Sequence, residues 1–203
     1  RLAAELLHAM GKLAAAAGAE AVAATAGPLI REVSDLLQRP EVLEDRTLLR
    51  GAHTTLTSLA EMTGGAFVGA LEGLLPALLE KASIEVEFEI SLVEGEDPRQ
   101  AEAEADEGYE VEYLQNKGKG MIKIKTNAAQ MDEKLLALDA LFAYAHALGA
   151  AFEPAVRPVV EAALPVLSYK FNEQARASAA LVLGEAYKCL VLAAANGTPG
   201  ATV

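Results

Sequence analysis

Four amphipathic stretches of this 203-residue chain end at a glycine in comparable context, at Gly18, Gly65, Gly149 and Gly197. The intervals between them are 47, 84 and 48 residues, so one period near 47 recurs and the middle interval holds about 37 extra residues. Glycine at the end of a helix supplies the left-handed cap that lets the chain reverse. A chain that repeats such a unit cannot bury the apolar face of any one copy alone. Neighbouring copies must stack to do it, so the repeat calls for an elongated pile of helix pairs.

The spacing predicts first helices over 1–17, 46–63, 129–148 and 171–195, with second helices over 20–38, 66–82 and 152–168. In 129–148, Leu135, Leu138, Leu141, Phe142 and Leu148 mark the buried stripe. Pro28, Pro76 and Pro165 fall in second helices, two of them in the matching settings Leu75-Pro76-Ala77-Leu78 and Leu164-Pro165-Val166-Leu167, which predicts curved or broken helices there. Composition agrees with close helix packing: 52% of residues are apolar, aromatics are only 5% and Trp is absent. Two helices in a period of about 40 to 47 residues are the HEAT or armadillo range, and HEAT fits better. The expected fold is all-α, a HEAT-repeat α-solenoid of antiparallel helix pairs with a small acidic β-hairpin or β-meander insertion. Repeats are expected at 1–45, 46–84 and 128–168, the insertion at 85–127, and the first helix of a further repeat with a truncated tail at 169–203. With Arg1 at its head and a Gly/Pro-rich end, the chain reads as a piece cut from a longer one.

From Ile84 the pattern changes to strict alternation. Ile84, Val86, Phe88, Ile90 and Leu92 share one face, and Glu85, Glu87, Glu89 and Ser91 the other, which predicts a strand. Tyr109 to Leu114 and Met121 to Thr126 read as two more, joined by a turn at Asn116-Lys117-Gly118-Lys119-Gly120. Lys123 and Lys125 would pair with the glutamate row if the first and third strands are neighbours.

Charge is concentrated in this region. Net charge is −12 overall, and residues 85–114 hold twelve acids against the single base Arg99. The lack of clustered Lys and Arg argues against direct nucleic-acid binding, and basic partners suit the chain better. Glu94, Glu96, Asp97, Glu102, Glu104, Asp106 and Glu107 form an acidic loop, either a solvated connection or a contact for a basic ligand. Asp35, Glu72, Glu80 and Glu161, with Glu32 and Glu153, sit on second helices, where one layer of a solenoid lines its concave side; the alternative is an ordinary wet helix face.

Other features carry less. His8, His53 and His146 match no metal-binding spacing and lie away from Cys189, so neither a metal nor another cofactor is expected. A single cysteine excludes an internal disulfide and fits a reducing compartment. The Lys117–Gly120 run lacks the ending of a phosphate loop, and Asn196-Gly197-Thr198 is a glycosylation acceptor by spacing only. Residues 1–18 are amphipathic, unlike a signal peptide or membrane span, so no membrane insertion is expected. No nucleophile, base and orienting residue converge, which points away from an enzyme.

Several runs bear a family likeness. They are Leu75-Pro76-Ala77-Leu78-Leu79-Glu80-Lys81-Ala82-Ser83-Ile84, then Glu107-Gly108-Tyr109-Glu110-Val111, Ile124-Lys125-Thr126, Asp132-Glu133-Lys134, Ala143-Tyr144-Ala145 and Pro165-Val166-Leu167-Ser168-Tyr169-Lys170-Phe171. In order and spacing the chain resembles the central repeats of the importin-β superfamily of karyopherins, in the importin subunit beta-3, or Ran-binding-protein-5-like, branch. It departs in a longer, more strand-like insert, in Tyr109 where that branch has Trp, and in heavy alanine usage. The resemblance implies a nuclear transport receptor that takes basic nuclear-localisation signals of cargo proteins on its inner surface, releases them to Ran GTPase, meets nucleoporins through the full-length protein, and shuttles between cytoplasm and nucleus. A HEAT scaffold that organises a multi-protein complex is the alternative.

Overall fold

The structure is a computed structural model and describes residues 2–43, 45–93, 108–116, 120–170 and 172–198. Helices α1 (Leu2–Ala17), α2 (Ala19–Leu36), α3 (Pro40–Leu43), α4 (Arg46–Thr63) and α5 (Val68–Ser83) precede the strands β1 (Phe88–Val93), β2 (Tyr109–Asn116) and β3 (Gly120–Asn127). Then come α6 (Ala128–Leu148), α7 (Glu153–Ala163) and α8 (Glu173–Ala195). Three starts are capped by side chains, as helix N-termini require. Asp45 accepts from Thr47 N and Leu48 N, Asn127 from Gln130 N, and Asn172 from Ala175 N.

The helices form two layers. α1, α4, α6 and α8 lie side by side in one, and α2, α5 and α7 in the other, with α2 against α4, α5 against α6 and α7 against α8 across the layers. This is the HEAT-type solenoid expected from the repeat.

Small residues set the spacing of the first layer. A Cβ added to Gly11 of α1 would come within 3.2 Å of the Thr55 Cα in α4, so the two backbones nearly touch there. Thr55 Oγ1 lies 2.6 Å from the Leu7 carbonyl oxygen of α1 and 2.9 Å from that of Gly51, a hydrogen bond that ties one unit to the next. The α6–α8 seam follows, and both helices bury small residues, Ala137, Ala140 and Ala145 in α6 and Ala175, Ala179 and Ala186 in α8.

Cys189 lies in that seam, its Sγ 3.2 Å from the Ala145 carbonyl oxygen, and burial pushes its thiol up to about 11. Little thiolate exists near neutral pH, and the thiolate is the nucleophile. Native protein is therefore expected to resist iodoacetamide at pH 7.5 and to react fully in denaturant. Rapid labelling of the native state would contradict the seam.

The turns hold a repeat finer than the 47-residue period. Gly64–Phe67 and Gly149–Phe152, the sequences GGAF and GAAF, each form a 3₁₀ turn between first and second helix. The glycine with positive φ is Gly64, at 52°, and not Gly65; Gly149 has the same φ, and Gly18 and Gly197 are positive as expected. Phe67 and Phe152 are both fully buried.

That register separates the two prolines aligned from sequence. Pro76 lies 12 residues beyond Gly64 and Pro165 lies 16 beyond Gly149, one helical turn apart. α2 and α5 run on through Pro28 and Pro76, whereas α7 ends at Ala163 and a 3₁₀ turn, Leu164–Ser168, takes over with Pro165. Only the third second helix is broken. The expected α6 stripe is largely found: Leu138, Leu141 and Leu148 are buried, while Leu135 and Phe142 are half-buried against the core.

Three stretches, Arg46–Ser83, Ala128–Ser168 and Glu173–Ala195, are long and apolar enough to cross a membrane by length and composition. The first two contain the turns at Gly64 and Gly149. Polar side chains inside the stack, Thr55, Lys134 and Glu185, are buried and hydrogen-bonded to other helices.

The strands form an antiparallel sheet of order β1-β3-β2. The first and third strands are adjacent, as the charge rows predict, and Glu89 stands opposite Lys125. β1 starts at Phe88, four residues later than the alternation suggests, because Ile84–Glu87 leaves the α5 terminus and turns Val86 into the core. Phe88, Ile90 and Leu92 are exposed instead.

The foot of the insert is closed by three contacts. Lys134 Nζ of α6 donates to the Ala82 carbonyl oxygen at the end of α5 at 2.6 Å. Asn127 N donates to the Glu87 oxygen at 2.9 Å, and Glu87 N donates to Gln130 Oε1 at 2.7 Å. Burial holds the Lys134 ammonium below its ordinary value, yet the bond places it at a helix C-terminus, where positive charge is favoured.

Candidate functional site

Second helices carry the acids singled out from sequence. Asp35 is near the end of α2, Glu72 and Glu80 are on α5, and Glu161 is on α7; all four are exposed. They lie on successive helices of one layer but converge on no single cleft. Glu72 lines a small cleft of about 140 Å³ between α5 and α7, with Leu71, Leu75 and Pro154. Glu161 lines a different groove, and Asp35 and Glu80 line neither. Glu161 also accepts from Arg157 Nε at 3.2 Å, an exposed i,i+4 pair of little energetic weight.

The Glu161 groove is the larger, about 650 Å³. Ile84, Val86, Pro165 and Val166 supply apolar lining. Glu85, Glu87 and Glu161 line it together with Lys134. The alternation places Glu85 and Glu87 on the polar face of a strand. They serve the groove because Ile84–Glu87 runs alongside the broken end of α7 rather than in the sheet. The missed signal was the start of pairing at Phe88, which alternation alone does not reveal.

A third cleft, about 570 Å³, opens among α4, α6 and α8. Most of its charged groups are engaged within the protein: Arg46 pairs with Asp132, Glu133 accepts from Lys81 Nζ at 2.6 Å, and Asp139 accepts from Ser178 Oγ at 3.2 Å. It is a seam between repeats.

The acidic-loop residues Glu94, Glu96, Asp97, Glu102, Glu104, Asp106 and Glu107 lie outside the described residues. Among the described residues no group of His, Cys, Asp and Glu is placed to hold a metal ion. Two polar clusters inside the stack are structural in chemistry. His53 Nδ1 of α4 and the Tyr144 hydroxyl of α6 share a 2.8 Å hydrogen bond, and burial lowers His53 to about 4 and raises Tyr144. Glu185 of α8 accepts from Lys188 Nζ at 2.7 Å and contacts His146 Nδ1 at 3.1 Å, and the Lys188 bond holds its carboxyl below the usual range. Neither cluster pairs a nucleophile with a base. What the surface offers is exposed carboxylates beside apolar lining.

No protein-family model matches the chain, and no curated protein matches it. Among solved structures it is similar to the karyopherin Kap121p. Against a mutant Kap121p the TM-score is 0.74 at 23% identity, covering 95% of this chain and 18% of that one. Against Kap121p bound to Ste12p the values are 0.71 and 22%, covering 95% and 17%. Against Kap121p bound to RanGTP they are 0.68 and 23%, covering 96% and 19%. The chain thus has the fold of a karyopherin segment and spans less than a fifth of the length of those chains.

Proposed function

We propose that this chain is part of a nuclear transport receptor of the importin-β type, in the importin subunit beta-3 branch, and that its second-helix layer binds basic nuclear-localisation signals. The observation that carries this reading is the likeness to Kap121p over nearly the whole chain, including the form bound to RanGTP. The quoted sequence runs and the acidic bias support it. On this reading residues 1–45, 46–84 and 128–168 are repeats, 85–127 is an insertion, and 169–203 opens a further repeat. Ran and nucleoporins are partners of the full-length receptor, which shuttles between cytoplasm and nucleus, and the protein is a binder rather than an enzyme. Asp35, Glu72, Glu80 and Glu161 are the proposed cargo contacts, spread along the layer so that an extended lysine-rich segment meets them in turn.

A fluorescence titration of labelled Lys-rich signal peptides tests this. Binding is expected to weaken steeply between 50 and 300 mM salt, as contacts between exposed charges do. Replacing the four acids by Asn or Gln is expected to weaken binding at least tenfold, and Lys→Ala changes in the peptide likewise. Indifference to both sets of changes sinks the proposal. Capture of folded subunits instead, without Ran or a nucleoporin, would favour the reading as a HEAT scaffold organising a multi-protein complex.

A further inference from the structure

We propose that the outer edge of β1 captures an extended partner segment in which lysine alternates with aliphatic residues, adding it to the sheet as a fourth strand. This surface belongs to the insert, not to the helix layer, and does not depend on the receptor reading.

β1 is an edge strand, and among the described residues its outer side pairs with no other strand. The bond from Asn127 N to the Glu87 oxygen fixes which backbone groups look inward. In an antiparallel ladder they alternate, so Glu87, Glu89 and Ser91 turn theirs toward β3, and Ile90 and Leu92 present theirs outward. β1 contains no lysine, proline or bulge, the devices that usually block an exposed edge.

The two faces of that edge are chemically opposite. Ile90 and Leu92 are 49% and 70% exposed, and the register places Leu114, 51% exposed, on the same face. Glu87 and Glu89 are exposed on the other.

The sheet already contains the sequence that fits. β3 reads Ile122-Lys123-Ile124-Lys125, with its lysines opposite Ser91 and Glu89 and its isoleucines opposite Leu92 and Ile90. A partner of the same pattern meets the same complement on the outer side of β1. Beyond Phe88 it would pass the exposed Glu85 and Glu87, where a further lysine meets carboxylates. Pairing of β1 with β1 of a second copy would set glutamate rows against each other, which disfavours self-association.

The test uses the 203-residue chain and a labelled peptide of alternating lysine and isoleucine. Two control peptides carry the same residues in separate blocks, or N-methyl groups on alternate amides so that one edge cannot donate. The alternating peptide is expected to bind, and both controls at least tenfold more weakly. Leu92→Pro removes an outward N–H but no bond to β3, and should also weaken binding at least tenfold. Asp35→Asn, Glu72→Gln and Glu80→Gln together should change it less than twofold. Circular dichroism and the melting temperature check that Leu92→Pro stays folded; if it does not, the N-methylated peptide decides. No binding, equal binding of the block or N-methylated peptide, or loss only with the three helix-layer changes overturns the proposal.

Discussion

Phe67→Ala and Phe152→Ala are each expected to destabilise the protein by about 3–5 kcal/mol, the usual cost of removing a fully buried ring. Both side chains are 0% exposed and both close a 3₁₀ turn between the helices of a unit. Phe67 has a second role, since its ring stacks on Tyr144 of α6 at 5.6 Å and 30°. It therefore joins the turn of one unit to the first helix of the next. In a stack held by nearest-neighbour contacts, a loss at such a junction splits one transition into two. Urea unfolding followed by circular dichroism should show the lower midpoint for both variants and added steps for Phe67→Ala. Phe67→Leu keeps most of the volume and is expected to cost under about 1.5 kcal/mol. A loss below about 1 kcal/mol in both alanine variants would mean that the turns do not anchor the units.

Acid is expected to weaken the same junction through His53. Its folded-state value is about 4 against an ordinary 6.5, because burial disfavours the charged ring. The sign follows from which state takes the proton first. Below pH 6.5 the unfolded chain binds a proton that the folded chain accepts only near pH 4. The contribution is thus fully present above pH 6.5 and is lost as pH falls toward 4, by about 3 kcal/mol in all. His53→Gln can still bond the Tyr144 hydroxyl and cannot titrate. Stability measured from pH 7.5 to 4 should fall more steeply for the wild type than for this variant, the gap approaching that value at pH 4. Parallel curves would show that His53 is solvated in the native state.

The sequence displays the helices and their glycine ends because both depend on local chemistry. Strand adjacency was equally legible, since Glu89 and the lysines of β3 can pair only if β1 and β3 are neighbours. Where two local solutions are equivalent, the choice passes to tertiary contacts. Gly64 and Gly65 are equally able to adopt positive φ, and the burial of Phe67 three residues beyond Gly64 selects the first. The likeness of the two Leu-Pro motifs hides a one-turn offset, visible only once the turns are superposed. Lys134 looks like a surface lysine in sequence, yet it is 4% exposed, because the end of α5 that it caps lies 52 residues earlier in the chain. The four acids proposed as contacts were legible as a set on one helix layer. The groove at Glu161 was not, since much of its lining comes from the extended segment Ile84–Glu87, which alternation alone assigns to the sheet.

The three bonds at the foot of the insert fix the separation of α5 and α6 before the excursion begins. Superhelical pitch at that joint is accordingly insensitive to whatever hangs beyond it. Strands could be traded, lengthened or clipped there while the curvature of the flanking coil stayed as it is, which makes this joint a natural socket for acquiring new recognition elements.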